Sequence, residues 1–161
     1  ARDYELDPAL VAAVIYCESR FQERAVSPKG ALGLMQIMPD TARWLCQAQG
    51  WPELDEEELM RPDVNLALGC AMLSRMKTYY GSLPEALAAY NAGPGRVDGW
   101  LADSRYSQDG KTLAQIPYEE TRRYVEKVQF AYERYKRIYT CLQDAAPTAL
   151  LAGVGAAVRR V

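Results

Sequence analysis

The sequence predicts a mainly α domain with at most a small β element. Three observations carry this. Apolar residues recur at helical spacing in nearly every segment, as with Val11, Val14 and Ile15. Prolines stand where helices begin and glycines where they end. No run alternates apolar and polar residues as a half-buried strand would, apart from a possible short β segment near residues 104–115. The length of 161 residues fits one domain with a real core.

Element by element, the first helix is expected from about Pro8 to Arg20. Asp7 serves as its N-cap, and Pro8 takes a position where a missing N–H costs nothing. Ser27-Pro28-Lys29-Gly30-Ala31-Leu32-Gly33 is rich in turn formers and leads into the apolar run Leu34 to Met38. A second helix should span Pro39 to Gln49 and stop at Gly50. Asp55 to Glu58 reads as a solvated surface turn; it lacks the alternating ligands and glycine of a calcium loop. A long helix follows from about Asp63 to Tyr80, closed by Gly81. Short helices are expected over Pro84 to Asn91 and Val97 to Ala102, separated by Gly93-Pro94-Gly95. Residues 103–116 are polar and loop-like. Pro117 opens the last long helix, which should reach about Leu142. The segment from Ala145 to Val161 changes to Ala, Gly and Val; a packed helix, a disordered end or a weak membrane contact would each fit it. It is shorter than the ~20 residues a spanning helix needs.

Composition excludes several chemistries. Net charge is −2, with 19 basic and 21 acidic residues, so no basic surface suggests nucleic acid as a partner. The chain contains no histidine, which rules out Ser-His-Asp and Cys-His catalysis and His-ligated zinc. Acid/base work then falls to Asp, Glu, Tyr, Lys or Cys. Cys17, Cys46, Cys70 and Cys141 show no C-x-x-C spacing. Buried free thiols and disulfides both fit them. The sequence opens at Ala1, and neither a signal peptide nor a membrane-spanning run is present in it.

Glu18 is the residue that departs from its surroundings. It follows Ile15, Val14 and Val11 by three, four and seven positions, which sets its carboxylate on the apolar face. Desolvation there disfavours the charged form and raises the pKa, as a general acid requires near neutral pH. The same spacing also suits a glutamate at the edge of the stripe whose head reaches solvent. Cys17, one position earlier, should point to a different helix face and is given no role.

The blocks around Glu18 resolve the ambiguity. They read Glu18-Ser19-Arg20-Phe21, Ala25 to Ala31, Gly33 to Pro39, Ala89-Tyr90-Asn91-Ala92-Gly93-Pro94, and Ile116 to Val125. In this order they closely resemble the catalytic domain of soluble-type lytic transglycosylases, with a goose-type-lysozyme-like fold and a substrate groove. The resemblance runs from about Leu6 to Tyr139. It implies a catalytic domain over residues 1–143 and leaves 144–161 as a tail of unknown role.

The resemblance implies that Glu18 is the sole acid/base. It would protonate the glycosidic oxygen between N-acetylmuramic acid and N-acetylglucosamine in peptidoglycan glycan strands. It would then take the proton of the muramic C6 hydroxyl, which closes a 1,6-anhydro ring. Ser27 would orient the acetamido group, Gln36 and Met38 would line the saccharide groove, and Tyr90 and Asn91 would stand at the active site. Tyr124 would lie near Glu18, and Glu120 would contact the substrate. No metal or organic cofactor is implied, and a monomer acting outside the bacterial cytoplasm is expected. Without the resemblance, Ser27, Gly30 and Gly33 read as turn residues, Met35 and Met38 as core, and Asn91-Ala92-Gly93 as a helix end.

Two other functions compete. A goose-type-lysozyme-like hydrolase would cut the same bond with water, but it needs an Asp to activate that water; Asp98 and Asp103 lie in loop-like or short helical segments. A non-catalytic peptidoglycan-binding domain would keep the groove but would have no use for a carboxylate on an apolar face.

Overall fold

The computed structural model describes the backbone of residues 4–157 and the side chains of residues 4–141. Among the described residues there are seven helices and no sheet. They are α1 (Pro8–Ser19), α2 (Pro39–Gln49), α3 (Glu56–Met60), α4 (Pro62–Tyr80), α5 (Leu83–Ala92), α6 (Pro94–Leu101) and α7 (Glu119–Ala157). The mainly α reading therefore holds.

Helix α1 is the central element. Asp7 caps it by accepting from the Ala9 N–H at 2.8 Å. Every residue from Ala9 to Ile15 is buried. A helix apolar all round must be covered on all sides. It packs mainly along α7, while α4 and α5 complete the core with Leu68, Leu73, Leu87 and Ala86 to Ala89. Gly69 permits the close approach of α4, since a Cβ there would lie 2.3 Å from the Met35 sulfur.

The turn-rich segment between α1 and α2 folds into two isolated bridges, Val26 with Leu32 and Leu32 with Ile37. This is the small β element, and it replaces the one expected near residues 104–115. That later stretch is instead a run of turns. Asp109 accepts from the Lys111 and Thr112 N–H groups at 2.8 and 2.7 Å, and Ser107 accepts from Gly110. Side chains thus satisfy the backbone locally, and no strand partner is needed.

The acidic turn expected at Asp55 to Glu58 forms a helix. Asp55 accepts from the Glu58 N–H, and Glu58 accepts from the Asp55 N–H, a reciprocal capping box with Leu59 buried behind it. The last helix runs past Leu142 to Ala157. The packing of the tail side chains lies outside the described residues. No helix of the described residues is long and apolar enough to cross a membrane. All four cysteines are free thiols, two of them, Cys46 and Cys70, buried.

Candidate active site

Glu18 occupies the last turn of α1, where the helix runs out against α7. Arg20 and Phe21 follow in the left-handed region, at φ 52° and 64°, and turn the chain sharply away. Ser19 fixes this end. It is buried, and its hydroxyl lies 2.8 Å from the Leu34 carbonyl oxygen and 3.2 Å from that of Ile15. The catalytic candidate is therefore anchored by its neighbour to the turn segment.

A cleft of about 540 Å³ opens at this point, with Glu18, Asn91, Glu120 and Tyr124 among its walls. Glu18 is half-buried. Burial pushes its carboxyl up to about 7, and the nearby Tyr124 hydroxyl opposes that shift. Tyr124 is itself buried, and its Oη is the one buried side-chain polar atom without a hydrogen-bond partner among the described residues. It stands near the carboxyl without forming a bond of full geometry to it. Burial and Glu18 together hold the Tyr124 phenol protonated, well above its ordinary pKa. The arrangement is a carboxyl that keeps its proton near neutrality, beside a hydroxyl with unused bonding capacity.

Asn91, at the end of α5, accepts from the buried Thr121 hydroxyl at 2.9 Å, which ties α5 to α7. Glu120 is exposed and pairs with Lys29 at 3.5 Å, an ion pair that joins the turn segment to α7. Exposed pairs of this kind contribute about 0–1 kcal/mol.

The other predicted residues do not line this cleft. Ser27 shapes the turn by accepting from the Ala31 N–H at 2.9 Å. Gln36 adopts φ 50°, and its amide donates to the carbonyls of Ala25 and Gly33 at 3.1 and 2.9 Å. Tyr90 is buried and donates to the Met35 carbonyl at 2.8 Å. Met38 stands exposed where α2 begins.

Several residues with a structural claim on the site were not anticipated. Asn65 is fully buried and makes three hydrogen bonds, from Met35 N–H and to the Leu32 and Leu59 carbonyls. It pins the turn segment to α4. Gly33 must lack a side chain because a Cβ there would lie 2.4 Å from the Asn65 amide, and its φ is +76°. An Asn amid the apolar stripe of α4 was the available signal. Cys17 corrects the helix-face expectation, for it lines the cleft beside Glu18. The cleft lies over the α1–α7 seam, so two successive positions border it. Burial and Glu18 raise the Cys17 thiol pKa, and Lys127 opposes this. Glu119, Arg123 and Lys127 complete the α7 wall, with Glu119 and Arg123 paired to each other.

A family model described as the transglycosylase SLT domain matches residues 1–114. The chain belongs to this family. Its resemblance extends further among individual relatives. The soluble lytic murein transglycosylase of Salmonella typhimurium is 35% identical over 147 residues, covering 89% of this chain and 23% of that protein. An inactive glutamate-to-glutamine mutant of lytic transglycosylase Slt from Pseudomonas aeruginosa superposes with TM-score 0.75 at 36% identity, over 87% of this chain and 23% of that one. The 70-kDa soluble lytic transglycosylase of Escherichia coli gives TM-score 0.73 at 32% identity, again over 87% and 23%. The SLT chain thus spans less than a quarter of the length of these relatives. Glu120 and Tyr124 fall beyond the residues matched by the family model, on the α7 segment.

Proposed function

We propose that this SLT domain cleaves the β-1,4 bond between N-acetylmuramic acid and N-acetylglucosamine in peptidoglycan without water, leaving a 1,6-anhydro-muramic acid end. One observation carries the reading: Glu18 is a cleft carboxyl held protonated to about pH 7 by desolvation. Its proton passes to the glycosidic oxygen as the C1–O bond breaks. The resulting carboxylate takes the proton of the C6 hydroxyl, whose oxygen closes on C1. Glu18 gives one proton and regains one, so no second carboxylate is needed, unlike the two-carboxylate glycosidase layout.

The rest of the cleft favours this over hydrolysis. No Asp lines it among the described residues, and its other carboxylates, Glu119 and Glu120, are exposed and paired with Arg123 and Lys29. Asp98 accepts from Tyr80, and Asp103 pairs with Arg105. In this reading Tyr124 steadies Glu18, while Asn91 and Glu120 contact substrate. Ser27, Gln36 and Tyr90 hold the shape of the turn segment anchored beside Glu18, and Met38 offers an exposed apolar contact at the start of α2 for an extended saccharide. Residues 1–143 form the catalytic unit, and the substrate places it outside the bacterial cytoplasm, in the periplasm or at the cell wall.

The test is digestion of purified peptidoglycan followed by mass analysis of the muropeptides, with Glu18→Gln as control. Anhydro ends, one water lighter than reducing ends, are expected from the unmutated protein and form about 10³-fold more slowly with the variant. Reducing ends would show hydrolysis instead. Full activity in the variant would remove Glu18 from the chemistry.

A further inference from the structure

Thr121 is a buried polar residue that the proposed chemistry does not use. It sits in the first turn of α7, is 2% exposed, and does not border the cleft. A threonine in a helix often satisfies its hydroxyl on a carbonyl of the preceding turn. Thr121 instead reaches across to α5, where its hydroxyl lies 2.9 Å from the Asn91 side-chain oxygen, Oδ1. Asn91 belongs to the cleft wall, beside Glu18 and Tyr124. The end of α5 that carries it is fixed one residue earlier, where the buried Tyr90 hydroxyl donates to the Met35 carbonyl at 2.8 Å.

Proton counting decides which way the amide faces. The Thr121 hydroxyl has one proton, and Asn91 Oδ1 is its acceptor. Turning the amide over would set an N–H2 group against the hydroxyl. The hydroxyl would then accept, and its own proton would be buried without an acceptor, the costly outcome for a buried polar group. The amide carbonyl is therefore turned inward to Thr121 and the N–H2 outward. Asn91 Nδ2 makes no hydrogen bond among the described residues, and Tyr124 Oη is the one side-chain polar atom there that is both sealed from solvent and without a partner. The N–H2 group thus opens on the cleft. Of the nearby nitrogen donors, Arg123 is engaged by Glu119 and Lys127 carries a charge. Asn91 is an uncharged donor of fixed direction beside the acid.

We infer that Thr121 is a positioning residue for the cleavage: it holds the Asn91 amide with its N–H2 toward the saccharide, so that Asn91 donates to an uncharged acceptor oxygen of the glycan. The inference rests on the peptidoglycan reading of the cleft for the identity of that saccharide. A side-chain amide free to turn offers either N–H2 or C=O, and sugar hydroxyls bond to both. The Thr121 hydroxyl removes this choice before substrate arrives. Thr121 itself touches no substrate. It contributes the orientation of a group that does, and the cost of ordering that group is met on folding instead of on binding.

The experiment is a double-mutant cycle on kcat/KM for peptidoglycan strands, whichever end the cut leaves. Thr121→Val keeps the branched shape and removes the donor. It should lower kcat/KM per folded molecule about 10-fold, whereas Thr121→Ser should stay within about 2-fold of the parent. Asn91→Ala alone should lower it about 30-fold, and Thr121→Val added to Asn91→Ala should change it by less than about 2-fold more, because the group to be oriented is gone. A residue that merely holds α5 against α7 would give equal losses in both backgrounds, and that result overturns the inference. A second measurement needs no cleavage. In Glu18→Gln protein, the two Nδ2 proton resonances of Asn91 should move on saturation with a bare tetrasaccharide of alternating N-acetylglucosamine and N-acetylmuramic acid. Adding Thr121→Val should reduce that movement at least about 3-fold. Movement of these resonances, with no anhydro ends from the unmutated protein, would uphold the inference and sink the proposed reaction. A bound tetrasaccharide that leaves the Asn91 amide unmoved would overturn the inference.

Discussion

Glu18 and Glu85 are both shielded carboxylates on core helices, yet their surroundings differ in kind. Glu85 lies at the start of α5 and is almost fully buried. One of its oxygens accepts from the Leu113 N–H at 2.8 Å and the other from the Ser82 hydroxyl. Glu18 borders an open cleft, makes no hydrogen bond of full geometry among the described residues, and has its pKa raised to about 7 by desolvation. The same pairing recurs in two tyrosines. Tyr90 donates to the Met35 carbonyl, whereas the Tyr124 hydroxyl makes no hydrogen bond of full geometry among the described residues. On the α5 side, buried polar groups are spent on holding the fold. On the α1–α7 seam they are left available, at a cost to stability, which is the pattern expected where a substrate completes the bonding.

The sharpest way to break this contrast is to neutralise each glutamate. Glu18→Gln should lower kcat by about 10³-fold, as loss of a general acid typically does, with circular dichroism unchanged. Glu85→Ala should do the reverse. It leaves the Leu113 N–H without its acceptor and frees the 103–116 turns from α5, costing about 2–4 kcal/mol of unfolding free energy in urea titrations. Its kcat per folded molecule should stay close to that of the unmutated protein. A large rate loss in Glu85→Ala would mean that both carboxylates serve the chemistry.

The next effect turns the Glu18 comparison into a stability measurement. The carboxyl moves from an ordinary 4.5 to about 7 on folding. Between those values the unfolded chain releases a proton that the folded chain retains. Stability therefore falls as pH rises through this window, and the penalty is fully present above pH 7. Glu18→Gln should accordingly be more stable than the parent at pH 8, by about 1–3 kcal/mol, with the gain vanishing by pH 4. Thermal unfolding across pH 4–8 reads it. The parent's activity should fall about tenfold per pH unit above 7, since the acid form is the one that acts.

Much of this was legible in the sequence because it rests on local rules. Pro8, Pro39 and Gly50 mark helix ends by backbone geometry alone, and Glu18 betrays itself as a charge on an apolar stripe. What escaped depends on contacts distant in sequence or on motifs read for the wrong purpose. Asn65 joins Met35 across 30 residues, a bond that no helical pattern announces. Asp55 and Glu58 carried a capping box inside what looked like a solvated acidic run. Cys17 and Lys127 border the cleft only because α7 crosses the end of α1, a packing fact that spacing on one helix cannot supply. The hydrogen bonds of the Gln36 amide N–H groups and the Tyr90 hydroxyl to the backbone of the turn segment are likewise contacts that no spacing pattern announces.

The tyrosines provide the smallest and most discriminating effects. Tyr90→Phe removes a bond and leaves the Met35 carbonyl unsatisfied, so it should cost about 1–2 kcal/mol. Tyr124→Phe removes a hydroxyl that makes no hydrogen bond of full geometry among the described residues, and should leave stability unchanged within about 0.5 kcal/mol where Glu18 is protonated. Its consequence should appear in the pH profile instead. The Tyr124 hydroxyl lowers the Glu18 pKa, so its loss moves the alkaline limb of kcat upward, by less than about one pH unit. A limb that stays in place, or moves down, would mean that Tyr124 does not act on the Glu18 carboxyl. If Tyr124→Phe proved as destabilising as Tyr90→Phe, its hydroxyl would be a structural group after all, and the contrast between the two sides of the molecule would fail at that residue.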